Sequence, residues 1–120
     1  MLDATMDKAR ELGRLLGQTA EYQALQRARQ RLGEDREVVT LVNRVAELEQ
    51  GIALALQRGE APEDAVREEY ERVVSELQAS PVYQGLIAAQ ANFDRVLGRV
   101  NDEIAKGMEA GAQSRIILPS

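Results

Sequence analysis

The 120-residue chain has no cysteine and no histidine. That excludes disulfides, thiolate nucleophiles, cysteine-held iron–sulfur clusters and histidine-based zinc sites. Tryptophan is absent as well, and one Phe and three Tyr are the only aromatic residues. Few rings are left to stack on nucleobases, so the core must be built from Leu, Val, Ile and Ala. No apolar run approaches about 18 residues, so no membrane-spanning helix is expected. The opening Met1-Leu2-Asp3 lacks a basic segment followed by an apolar one, so no signal peptide is expected and the expected location is cytoplasmic. The glycines stand singly, no Gly-x-x-x-x-Gly-Lys loop occurs, and no serine sits in a nucleophile motif.

What is present describes a folded helical chain. Hydrophobic residues make up 44% and charged residues 29%, which is not the composition of a disordered segment. The length suits one domain. A compact chain of this mass exposes roughly 6,500 Å². The net charge is −5, and the excess lies in residues 36–79, with ten acids against five bases. The flanking stretches are balanced, so no long basic stripe exists for a polyanion.

Turn and cap residues divide the chain into five helical segments. The first runs from about Asp3 to Leu16, with Ala9, Leu12 and Leu16 on one face, and Gly17 weakens it. Thr19 is placed to cap a second helix over about Ala20 to Leu32, with Gly33 at its C-terminal end. Asp35 caps a third, from about Arg36 to Arg58. Its seam is Val38, Leu41, Val45, Leu48, Ile52 and Ala55, alternating three and four residues apart. Gly59 stops that helix, and Pro62 in its first turn opens a fourth whose seam is Val66, Tyr70, Val73 and Leu77. Ser80-Pro81 opens the fifth, which is expected to reach about Gly107 along Val82, Leu86, Ala89, Phe93, Leu97, Val100 and Ile104.

A last helix of about 26 residues spans roughly 39 Å, whereas a compact 120-residue domain is only about 35 Å across. Pairing with the same helix of a second copy covers such a seam; the shorter helices of one chain are the alternative cover. The expected fold is therefore all-α, a bundle of about five helices with a long C-terminal helix, self-associating. Residues 1–106 form one helical domain in this reading, and 107–120 form a tail in which Ile116-Ile117-Leu118 packs back on the bundle or docks elsewhere.

The acidic groups read as solvated faces. Glu47 and Glu49 point to different sides of a helix, and Glu68, Glu69 and Glu71 flank the polar side of the fourth. A di-metal carboxylate bundle needs Glu-x-x-His pairs, which a chain without histidine cannot supply. Arg10 with Arg14, and Arg27 with Arg31, are pairs four residues apart. If the first two helices form a hairpin they join into a basic patch for an acidic protein surface or an RNA backbone. Ordinary ion pairing, such as Asp7 with Arg10, is the plainer account.

The order of these features resembles the YlbF/YmcA family of bacterial cell-fate regulators, over about residues 4–106. The resemblance is carried by Ala9-Arg10-Glu11-Leu12-Gly13-Arg14-Leu15-Leu16, by Thr19-Ala20-Glu21-Tyr22 with Ala28, and by Leu41-Val42 through Leu48. It continues in Ser80-Pro81-Val82 followed by Ala89, Phe93, Leu97 and Ile104. These are packing and capping patterns rather than catalytic motifs.

The resemblance implies a non-enzymatic regulatory protein that self-associates through long helices; with neither cysteine nor histidine in the chain, no cofactor is expected. Family members join with one another and with a third protein in an assembly that influences competence, sporulation and biofilm programmes. That assembly acts as a specificity factor for the endoribonuclease RNase Y. Iron–sulfur clusters found in that complex rest on cysteines, which this chain lacks. The expected partners are thus a second copy, related regulators and an endoribonuclease, with no membrane and no direct nucleic-acid contact. The expected interface is Val82, Leu86, Ala89, Phe93, Leu97, Val100 and Ile104. The alternative is an RNA-binding module using Arg10, Arg14, Arg27 and Arg31.

Overall fold

A computed structural model describes residues 2–117, with side chains through Gln113. The chain forms five helices: α1 (Leu2–Gly17), α2 (Ala20–Glu34), α3 (Arg36–Gln57), α4 (Asp64–Gln78) and α5 (Pro81–Ile117). Among the described residues there is no strand.

The start signals operate through their side chains. Thr19 Oγ1 accepts the Tyr22 amide at 3.1 Å and opens α2. Asp35, with an extended backbone, ends α2, and its carboxylate accepts the Val38 amide at 3.1 Å to open α3. Each cap satisfies a first-turn N–H that has no helical partner. Ser80 Oγ accepts the Tyr83 amide at 3.4 Å, with Pro81 as the first residue of α5. Gly59 takes a left-handed φ of +73° where α3 turns toward α4, a conformation that a Cβ disfavours.

Three boundaries differ from the sequence expectation. Gly33 lies inside α2, which ends only at the extended Asp35. Pro62 precedes α4 instead of entering its first turn, because Glu63 is still extended (φ −62°, ψ 147°). The largest difference is in α5, which passes Gly107 and Gly111 and runs 37 residues to Ile117. A glycine in a helix costs about 1 kcal/mol relative to alanine, too little to break a helix flanked by Lys106, Met108, Glu109, Ala110, Ala112 and Gln113. The side chains of Ile116 and Ile117, and all of Leu118, fall outside the described residues, and with them the docking of the apolar tripeptide.

The packing consists of two helix pairs. α2 lies along α5, and α3 pairs with α4. Leu25, Ala89 and Phe93 form a buried cluster, with Leu16, Tyr22, Ala28, Leu86, Val96 and Leu97 packed around it. The remaining buried residues are Val38 and Leu48 of α3 and Val73 and Leu77 of α4, all on the seams that the periodicity marks. α1 has no buried residue.

The compact globule expected from length is not formed. The radius of gyration is 21.6 Å and the molecule measures 69 × 38 × 21 Å, against about 14 Å for a compact chain of this length. It exposes 9409 Å², about 2,900 Å² more than its mass predicts.

Candidate interaction surface

The seam of α5 is covered unevenly. Ala89 and Phe93 are buried at 8% and 9% exposure, and the cover is α2 of the same chain through Leu25, Tyr22 and Ala28. The Tyr22 and Phe93 rings meet edge-on with centroids 5.1 Å apart. Val82, Leu86, Leu97 and Val100 are half-buried, whereas Ile104 is 44% exposed. Of the seven residues expected as one interface, Leu86, Ala89, Phe93 and Leu97 are packed inside the chain, Val100 and Ile104 face an open groove, and Val82 lines a separate groove beside α2. Sequence periodicity marks the whole stripe as apolar but does not say which neighbour covers which turn.

The open part lines a groove. Leu12 of α1 faces Val96, Val100 and Ile104 of α5 across a cavity of about 500 Å³, with Arg99 and Glu103 at its edge. Beyond it Leu2, Met6 and Met108 are 72%, 51% and 65% exposed. Met6 and Met108 were not singled out from sequence, although Leu2–Met6 and Ile104–Met108 continue the helical spacing of four.

The four arginines of the candidate basic patch are all exposed. Arg27 and Arg31 line a second groove, of about 540 Å³, with Ala24, Ala28, Gly85 and Ala88. Neither Arg10 nor Arg14 lines it, and Arg10 pairs with Asp7 on its own helix. The hairpin that a joint patch requires is not the main packing of α2, which lies along α5 and touches α1 only slightly.

Two of the acidic groups, Glu47 and Glu69, pair with Arg44. Arg44 donates from Nε and Nη2 to the two carboxylate oxygens of Glu69 at 2.6 and 2.8 Å, and from Nη1 to Glu47 at 3.0 Å. The hydrogen bonds from Arg44 hold the Glu69 carboxyl below its usual range, the reverse of what a general acid at neutral pH requires. The Tyr70 hydroxyl donates to Glu49 at 3.4 Å, and the Glu49 charge pushes its pKa up. Among the described residues no group of three or more acids is placed to hold a metal ion, and no helix is long and apolar enough to cross a membrane.

The pattern of caps and seams is matched by a family model described as control of competence regulator ComK, YlbF/YmcA, over residues 5–109. The chain belongs to the YlbF/YmcA family. A UPF0342 protein of Streptococcus mutans serotype c (strain ATCC 700610 / UA159) is 32% identical over 107 residues, covering 83% of this chain and 95% of that protein. Among solved structures, Bacillus subtilis RicA, crystallised in complex with RicF, superposes with a TM-score of 0.76 at 15% identity. It covers 91% of this chain and 96% of that one. At that identity the likeness concerns the fold, a helical architecture with a long C-terminal helix. The YlbF/YmcA membership identifies a regulator family.

Proposed function

We propose that this YlbF/YmcA-family chain is a non-enzymatic regulatory adaptor that works through helix contacts, with a second copy of itself and with related helical proteins. The observation that carries this reading is the open C-terminal end of the α5 seam. Val100 and Ile104 face Leu12 across an unfilled apolar groove, on a chain exposing about 2,900 Å² beyond the compact expectation. Stable interfaces bury about 1,200–2,000 Å² in total, so the excess is ample for one. Exposed apolar patches of this kind mark protein contacts in soluble chains. The Bacillus subtilis neighbour was crystallised with a protein partner, which supports a related chain as the second kind of partner.

In this reading the output is developmental regulation, of competence, sporulation or biofilm, or RNA processing through an endoribonuclease. The adaptor itself carries no catalytic group and takes no cofactor. The RNA-binding alternative needs Arg10, Arg14, Arg27 and Arg31 on one surface, and only the last two share a groove.

Light scattering on the purified chain beside Ile104→Glu tests the proposal. The expected result is a wild-type dimer that the variant loses while keeping its helical circular dichroism. A wild type that stays monomeric at concentrations of tens of micromolar overturns self-association.

A further inference from the structure

The groove between α2 and the N-terminal half of α5 has an unusual floor. Ala24, Ala28, Gly85 and Ala88 line it, so nothing larger than a methyl group rises from those positions. A Cβ built on Gly85 meets no atom within 4 Å. Such a floor admits the apolar ridge of another helix at close approach. At its edge stand Arg27 and Arg31, neither with a partner among the described residues, whereas Arg10, Arg44, Arg67 and Arg72 all hold carboxylates. Pro81, the first residue of α5, also lines the groove, and the first turn of α5 carries no acid. Its positive helix end therefore adds to the same sign of charge. The groove calls for an acidic helix with an apolar ridge.

The beginning of α1 has that character. Leu2 and Met6 are 72% and 51% exposed and lie four residues apart on one face. Asp3 and Asp7 flank them at the same spacing. Arg27 and Arg31 share that spacing, about 6 Å along a helix. With Leu2 and Met6 on the alanine–glycine floor, Asp3 and Asp7 fall in register with the two guanidinium groups. Asp7 already pairs with Arg10, but both side chains are largely exposed and such a pair is readily exchanged.

The arm cannot serve its own groove. Leu16 packs on the Ala89–Phe93 cluster and Leu12 faces Val96, Val100 and Ile104, so α1 runs antiparallel to α5 and its first turns point toward the far end of that helix. Ile104 and Gly85 are about 28 Å apart along α5. A second copy with its α5 antiparallel brings its arm to the groove, and two-fold symmetry returns the contact.

We propose that in the dimer the first two turns of α1 of each copy lie in the α2–α5 groove of the other, with Asp3 and Asp7 facing Arg27 and Arg31. This rests on the self-association proposed above and adds a second contact to the one made by the open end of the α5 seam. The α4 helix of a second copy is a poorer occupant. Its acids are plentiful, but it has no exposed large apolar side chain among the described residues.

Because the chain has no cysteine, engineered thiols are unambiguous. The full-length Met6→Cys/Gly85→Cys variant is oxidised and run on a non-reducing gel, beside each single variant and Glu68→Cys/Gly85→Cys. Met6 is exposed and Gly85 opens on free space, and circular dichroism checks that each variant stays helical. The expected result is a covalent dimer in the Met6/Gly85 pair alone. Asp3→Arg/Asp7→Arg, and separately Arg27→Asp/Arg31→Asp, should each weaken the dimer by roughly tenfold, with affinity regained when all four changes are combined. A dimer by light scattering that fails to cross-link and ignores the charge reversals overturns the arm exchange and leaves self-association standing. Cross-linking through Glu68 in place of Met6 overturns it in favour of α4. A monomeric wild type overturns both readings.

Discussion

Tyr22 of α2 and Phe93 of α5 pack edge to face, with ring planes at 62° and centroids 5.1 Å apart. They join the helix pair that contains the main buried cluster, in a chain with only four aromatic residues. Phe93→Ala removes a ring that α2 buries and should cost about 3–5 kcal/mol. Tyr22→Leu keeps an apolar body but loses the ring pair, at about 0.5–1.5 kcal/mol. Urea denaturation of both variants measures the ratio. Equal losses would show that burial at Phe93 is not the main contribution.

Asp35 serves two helices, ending α2 and capping α3 through the Val38 amide. Asp35→Ala should lose about 1 kcal/mol, and Asp35→Ser should retain most of it. Thermal melts of the two variants check the cap. If alanine and serine behave alike, the carboxylate bond is not what holds the corner.

Two glycines should respond with opposite signs. Gly59 sits at φ +73°, so Gly59→Ala should destabilise by roughly 1–2 kcal/mol. Gly51 is exposed within α3, and a Cβ there meets nothing within 4 Å. Gly51→Ala should therefore stabilise by about 0.5–1 kcal/mol. Denaturant midpoints of the pair test the assignment, and shifts of the same sign would contradict it.

The Arg44–Glu69 fork ties α3 to α4 and lowers the pKa of Glu69. A carboxyl lowered on folding contributes stability above its unfolded pKa, about 4.3. That contribution is lost as pH falls through the lower folded value. Glu69→Gln should be less stable than wild type at pH 7, and the gap should close toward pH 3. Both side chains are partly exposed, so the difference should be small and shrink in salt. Melting temperatures across that range decide it. A gap that does not change with pH would remove Glu69 as the source.

Much of this architecture is written locally. Thr19, Asp35 and Ser80-Pro81 mark helix starts because each interaction spans only three residues. The seam from Val38 to Ala55 is visible because helical periodicity gathers it on one face, and two of its members, Val38 and Leu48, are buried. Gly33, Pro62 and Gly107 misled because each carries a preference of a few kcal/mol or less that its neighbours outweigh. The candidate surface was half legible. The α5 stripe could be read from spacing, but not the burial of Ala89 and Phe93 beneath α2, nor the groove that places Arg27 and Arg31 above Gly85.

The sequence by itself determined helix content, the main start signals, the apolar face of each helix and the exclusion of thiol and imidazole chemistry. These depend on residue identity and on spacings of three or four. Only the tertiary structure decided that α2 covers the middle of α5 while its far end faces Leu12 across an open groove, on a molecule 69 Å long. Apolar stripes attract one another without directional preference. Which stripe meets which is therefore set by turn geometry and side-chain fit over the whole chain, information that no local window contains.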